Sequence, residues 1–294
     1  MVVLMLLSGC SMKNIALRTT ADLMAAGAPA FEEENDLELA EQAMGGNLKV
    51  LEAFLKSDPN NEILLMLLAK SYGGYTFAFI EDAHDQWKSE KPQLADQYKK
   101  RAGNFYLRGK EYAMRWLKKK NRDFEEALTQ DFKSFEASLE DFDRDDTEIL
   151  FWAAYNWGNW LNMNLHEPDA IAAAPKVERM MKRVLELDEY FYHAGPHLFF
   201  GVYYGGRPAM LGGDTKRAQT HFEKALAFTK RKFLITQVLY AQYYAVQTQN
   251  KALFRQLLNE VIDADEELLP EQNLITQLAK KKARRLLAQQ GDLF

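Results

Sequence analysis

This chain has very little from which to build a sheet. It carries 39 Leu and 35 Ala but only 9 Val, 8 Ile and 11 Thr. Leu and Ala favour helices, whereas β-branched residues favour strands. The composition therefore predicts an all-α protein, and 294 residues are enough to bury a substantial core. With 37 basic and 42 acidic residues the formal net charge is −5. That balance argues against nucleic-acid binding, because phosphate neutralisation needs clustered positive charge. The single cysteine, Cys10, excludes an internal disulfide framework and any zinc site built on several thiolates.

The setting of that cysteine predicts the compartment. Val2 to Leu7 are all apolar, and Leu7-Ser8-Gly9-Cys10 follows. The tetrapeptide resembles the lipobox of bacterial lipoproteins, which implies cleavage before Cys10 and acylation of its thiol and new amine. Several acyl chains on one residue anchor a protein stably, whereas a single chain does so only marginally. The expected division is a signal peptide over 1–9, a lipidated segment over 10–30 and one all-helical domain over 31–294, facing the periplasm. The apolar run is shorter than a complete signal-peptide core and has no basic residue before it. This reading therefore puts the true start upstream of Met1. Ser11 differs from the Asp that retains lipoproteins at the inner membrane in enteric-type sorting, which favours the outer membrane. No later segment has about 18 uninterrupted apolar residues, so no spanning helix is expected.

Along the rest of the chain, helical periodicity predicts helices over 36–56 (broken near Gly45-Gly46), 62–72, 92–120, 122–142 and 148–161. More follow over about 175–187, 190–204 and 214–228, and two or three finish the chain. Gly73-Gly74 is expected to end or kink the second, and Asp145-Asp146-Thr147 to cap the helix over 148–161. Tetratricopeptide repeats are helix pairs with small residues where the two helices touch. Ala218, Phe222 and Ala225 have the spacing of a second repeat helix, with Gly201 and Tyr204 on the first. The gap from Tyr204 to Ala218 exceeds the standard one, so an insertion falls in the loop Gly205 to Gly213. Leu65, Leu68, Ala69 and Tyr72 fit another first helix, and Ala241, Tyr244, Leu253 and Leu257 a third pair. The expected architecture is an array of tetratricopeptide-like antiparallel helix pairs.

Three segments carry a family resemblance. They are the run from Gly206-Arg207-Pro208 through Met210-Leu211-Gly212-Gly213-Asp214 to His221-Phe222-Glu223, the segment Ala154-Tyr155-Asn156-Trp157-Gly158, and the tail from Tyr244-Ala245-Val246 to Asp292-Leu293-Phe294. Over roughly residues 30–294 the chain resembles the T component (TatT) of TRAP transporters, the tripartite ATP-independent periplasmic transporters. The resemblance implies a lipid-anchored, periplasmic, all-helical protein with cryptic tetratricopeptide repeats. It further implies a homotrimer whose subunits each have a pore or cleft and which associates with the solute-binding P component. It carries over no ligand residues one by one.

The residues themselves offer candidate ligand contacts. On a helix, Trp152, Tyr155, Asn156, Asn159 and Trp160 share one face. Three aromatics and two amides suit a wet groove for an amphipathic or organic ligand, or else a core whose amides are satisfied. A second aromatic supply includes Tyr203 and Tyr204, again readable as cavity wall or repeat core. Arg207, among four glycines, is either a guanidinium offered to a carboxylate or a structural cap. Ala154 and Gly158 on the neighbouring face would let another helix approach closely.

No cofactor is expected. His193 and His197 are four residues apart, but no Glu follows His193 and Gly195-Pro196 intervenes, which argues against a metal site. Asp214 is expected to cap a helix, and no phosphate loop surrounds it. No Ser has a Gly-x-Ser-x-Gly context, so catalysis is not expected. The acidic runs and the basic stretch Lys280 to Arg285 read as solvated faces. The expected function is that of an auxiliary transporter subunit; the alternative is a tetratricopeptide scaffold lipoprotein in envelope assembly. A ligand would pass through, or rest in, an aromatic-lined cavity.

Overall fold

The computed structural model describes the backbone of residues 4–294 and side chains from residue 16 onward. Cys10 therefore lies outside the residues whose side chains are described. Among the described residues every regular element is helical. The N-terminal part comprises α1 (Leu4–Gly27), the single turn α2 (Pro29–Glu32), α3 (Leu37–Ser57), α4 (Glu62–Tyr75), α5 (Asp82–Trp87) and α6 (Pro92–Lys120). Two short helices, α7 (Arg122–Ala127) and α8 (Phe132–Ser138), lead to α9 (Thr147–Met163), α10 (Pro168–Leu187), α11 (Phe191–Gly205) and α12 (Thr215–Phe228). The chain closes with α13 (Ile235–Tyr240), α14 (Lys251–Asp263), α15 (Asn273–Ala288) and the single turn α16 (Gln290–Leu293).

Local chemistry sets these boundaries. Asp36, Asn61, Asn121, Asp131, Asp214 and Asn250 accept hydrogen bonds from the first free backbone N–H groups of α3, α4, α7, α8, α12 and α14. Ahead of α9 Asp143 caps a short 3-10 turn, and the buried Asp146 completes that cap by accepting from the Asp143 N–H and also pairs with Lys120. The helix over 36–56 is unbroken: Gly45 gives room to the Tyr75 hydroxyl, 3.2 Å from where a Cβ would stand. Gly73-Gly74 does not end its helix either. From Tyr75 the chain runs through a π-helical turn, Thr76–Glu81, directly into α5. By length and mean hydropathy the resulting Glu62–Trp87 helix could cross a bilayer, although its apolar run is interrupted at Lys70, Ser71 and Glu81. Two-thirds of its apolar window is buried within this protein, so packing consumes that surface.

Successive long helices pack as pairs, chiefly α3 with α4, α4 with α6, α6 with α9, α9 with α10 and α11 with α12. The last pair forms as the repeat spacing predicts. Gly201 faces the ring of Phe222, which a Cβ would approach to 2.8 Å, and Ala218 and Phe222 are fully buried. Gly158 likewise lies against the ring of Phe199. Two apolar clusters result. One joins α3, α4 and part of α6 with Leu274 and Leu278; the larger joins α9 to α14.

Candidate functional site

A cavity of about 380 Å³ lies on the seam between these clusters, within the size range of small-molecule sites. Its walls draw on Leu51, Leu67 and Leu274 from the smaller cluster and on Trp152, Phe199 and Leu239 from the larger. One wall is a helical stripe: Leu67, Lys70, Ser71 and Gly74 on α4, then Phe77, Ala78 and Glu81 on the π turn. A second π turn, Ala241–Ala245, carries Tyr243, which also lines the cavity. Each π turn opens the regular winding where its side chains reach the cavity, a placement common at functional sites.

The aromatic wall comes from α9 and the start of α11. Trp152, Tyr155 and Asn159 line the cavity, as do Phe151 and Asn162. Tyr192 meets Trp152 edge-on with ring centroids 5.2 Å apart. Its ring is aimed there by an unusual backbone: Tyr192, His193 and Ala194 all have left-handed angles, with φ of 46°, 56° and 61°. Gly195 and Pro196 then begin the regular helix, as Pro favours a first turn. His193 stacks on Phe233 at 4.5 Å.

The N-terminal segment supplies a further wall through Met24, Ala28, Phe31 and Glu32. Glu32 is held at both carboxylate oxygens. Lys70 Nζ lies 2.6 Å from Oε1, and Gln272 Nε2 donates to Oε2 at 2.7 Å. Asn273 Nδ2 donates to the Glu33 carbonyl at 3.2 Å. At the other end of the α4 stripe, burial pushes the Glu81 carboxyl up to about 7, and the Tyr106 hydroxyl donates to it. Burial likewise holds the Tyr155, Tyr192 and Tyr243 hydroxyls in their neutral form, well above the usual phenol range. The cavity is thus apolar overall, with neutral hydroxyls and one ion pair.

The structure separates the candidate residues. Trp152, Tyr155 and Asn159 reach the cavity. Asn156 is fully buried elsewhere: its Nδ2 donates to the carbonyls of Ala69 at 2.9 Å and Trp152 at 2.7 Å, and its amide fills the space beside Gly109. It is a spacer between α4, α6 and α9. Trp160 packs near Gly103, and its carbonyl accepts from Asn164 at 2.7 Å. Tyr203 and Tyr204 lie behind the cavity, where the Tyr204 hydroxyl donates to Glu178 at 2.9 Å.

Arg207 is 4% exposed and does not project from its loop. Its guanidinium lies 3.4 Å from the Tyr203 ring centroid and donates to the cavity residue Asn162 at 2.9 Å. The loop folds back because the Asp214 N–H reaches the Tyr204 carbonyl at 3.0 Å. The basic stretch is also corrected. Lys282 is 2% exposed and paired with Asp82, and the buried Lys280 donates to the Ala264 carbonyl beyond α14 at 2.5 Å. Among the described residues no group of three or more His, Cys, Asp or Glu is placed to hold a metal. His197 bonds instead to His221 at 2.9 Å and Glu189 at 3.2 Å.

Lys70 and Glu81 carry no reading in the sequence, and Glu32, expected in an acidic solvated face, is instead paired with Lys70 on the cavity wall. Their signal was available in part: Lys70, Gly74 and Glu81 break an otherwise apolar helix on one face.

Fold and cavity together define an all-helical protein of packed helix pairs that encloses an apolar chamber. The profile of the TRAP transporter T-component family matches residues 33–294, and the chain belongs to that family. It is also similar to a Treponema pallidum (strain Nichols) protein described only as uncharacterized. The two are 24% identical over 314 residues, covering 99% of this chain and 94% of that protein.

Proposed function

We propose that this protein is a lipid-anchored periplasmic subunit of a TRAP transporter that binds the solute-binding P component and holds an organic or hydrophobic ligand in the seam cavity during handover. Family membership supports the transporter role. The single observation that carries the ligand reading is the apolar chamber itself, lined by Trp152, Tyr155 and Tyr192 and by Gly74. Apolar surface left unfilled inside a protein loses packing contacts, so a chamber of this size favours an apolar guest. In this proposal the working form is a homotrimer anchored through Cys10.

Gly74 provides the test. No atom lies within 4 Å of where its Cβ would stand, so Gly74→Leu adds a side chain into open space. We expect this variant to fold and to lose binding of a hydrophobic fluorescent probe by at least tenfold, while still recovering a solute-binding protein from the periplasmic fraction of its own organism. Light scattering of the chain alone should give a mass near three subunits. Undiminished probe binding would remove the cavity from the proposal. Recovery of envelope-assembly proteins on a monomer would favour the scaffold reading.

A further inference from the structure

We propose that Lys70 and Gln272 form a carboxylate receptor at the cavity wall, occupied by Glu32 when the chamber is empty and by the head group of a long-chain monocarboxylic acid when it is filled. The inference rests on the reading of the chamber as a ligand site and adds the chemical class of that ligand.

Three observations carry it. First, charged residues on the lining are Glu32, Lys70 and Glu81, so Lys70 is the one cation among the described lining residues. Second, the receptor is already built and already holds a carboxylate. The ammonium of Lys70 meets one oxygen of Glu32 at 2.6 Å, and the amide of the buried Gln272 meets the other at 2.7 Å. Two donors on two oxygens is the arrangement that a ligand carboxylate needs, since an ionised carboxylate only accepts. Third, Glu32 is not part of a long helix. It closes the single turn α2, between α1 and α3, so its side chain can leave without breaking a helical core.

The rest of the wall defines the tail. From Lys70 the stripe of Gly74, Phe77 and Ala78 runs to Glu81, eleven residues along one continuous helix, or about 16 Å at the helical rise. That length suits a hydrocarbon chain. At the far end the described lining carries Glu81 and no cation, so a second carboxylate there would give up its water without gaining a partner. The chamber therefore selects a monoacid over a diacid of equal length. The Tyr192 ring, 5.5 Å from Lys70 Nζ, adds a face that retains the ammonium when Glu32 departs.

The test compares dodecanoate, dodecanol and dodecanedioate on the full chain at neutral pH, with affinities measured by titration calorimetry. We expect dodecanoate to bind at least tenfold more tightly than dodecanol, and the diacid more weakly than the monoacid. Lys70→Met should abolish the preference for the acid while leaving dodecanol affinity within twofold, which also shows that the variant is folded. Lys70→Arg should keep the preference. Glu32→Gln removes the internal competitor's charge and should raise dodecanoate affinity several-fold without changing that of dodecanol. Equal binding of acid and alcohol by the native chain, or an acid preference that survives Lys70→Met, would overturn the inference and leave the chamber reading intact. Failure of all three probes to bind would overturn both.

Discussion

Asp82 and Lys282 meet 3.2 Å apart, each side chain 2% exposed, although 200 residues of chain separate them. Arg285 at 2.8 Å and Lys281 at 2.9 Å complete the cation shell around the same carboxylate. Burial alone would raise the Asp82 carboxyl, but the charges of Lys282, Arg285 and Lys281 overcome it and hold the group far below the usual carboxylate range. Asp82→Ala leaves the buried Lys282 ammonium with only the more distant Asp85 carboxylate, at 3.7 Å, and should destabilise by up to about 3–5 kcal/mol in urea unfolding at pH 7. The Asp82→Ala, Lys282→Met pair should cost less than the sum of the single changes. Because the folded state depresses this carboxyl, its contribution is present above the unfolded value near 4 and is lost as the pH falls. The gap between native and Asp82→Asn proteins should therefore narrow in acid.

Glu81 obeys the opposite sign. Burial raises its carboxyl to about 7, with Asp85 and Asp82 adding to the shift and Lys282 and the Tyr106 hydroxyl opposing it. A carboxyl that prefers to be neutral in the fold stabilises it below the unfolded value and loses that effect as the pH climbs through 7. Glu81→Gln should match the native protein near pH 4 and exceed its stability by about 1–3 kcal/mol at pH 8. Thermal melts across that range check it; a pH-independent difference would contradict the assignment.

Two glycines in helices should respond in opposite ways to alanine. At Gly201 a Cβ would stand 2.8 Å from the Phe222 ring, so the α11–α12 pair must separate, at about 1–3 kcal/mol. At Gly74 the new methyl meets nothing within 4 Å, and better helix propensity should stabilise by up to about 1 kcal/mol. Chemical unfolding of both variants tests the pair.

The left-handed turn before α11 suggests a stabilising change. Ala194 has φ of 61°, a conformation that costs a residue with a Cβ about 1–2 kcal/mol. Ala194→Gly relieves that strain, so it should leave the melting temperature unchanged or raise it, whereas glycine in a regular helix lowers stability by roughly 1 kcal/mol. A marked drop would show that the Ala194 methyl packs more favourably than its backbone is strained.

The residues differ in how plainly they announce their roles. Ala218, Phe222 and Gly201 were legible because a helix pair buries residues at a fixed period and both partners lie close in sequence. The Trp152–Tyr155–Asn159 wall was legible for the same reason, on a single helix. Asn156 and Trp160 share that face by count, yet a cavity touches only part of a face, and helical spacing does not say which part. Lys282 was misread because its partner, Asp82, lies 200 residues away, and Arg207 stayed open between ligand contact and structural cap because Asn162 lies 45 residues away. A charge is solvated or buried according to what meets it, which no local window contains. The continuity of Glu62–Trp87 was hidden by its π turn, since a wider winding is invisible to a 3.6-residue period.

The seam location of the cavity has an evolutionary consequence. Leu51 and Leu274 belong to one apolar cluster, Phe199 and Leu239 to the other, and the chamber lies where the two surfaces do not close on each other. A ligand site dug into a single core must trade each new contact against the stability of that core. A site between two cores is released from that trade, because either wall can be re-lined while the other keeps its packing. If the chamber holds a ligand as proposed, the architecture is suited to diversify that ligand by small substitutions, with the helical frame inherited unchanged.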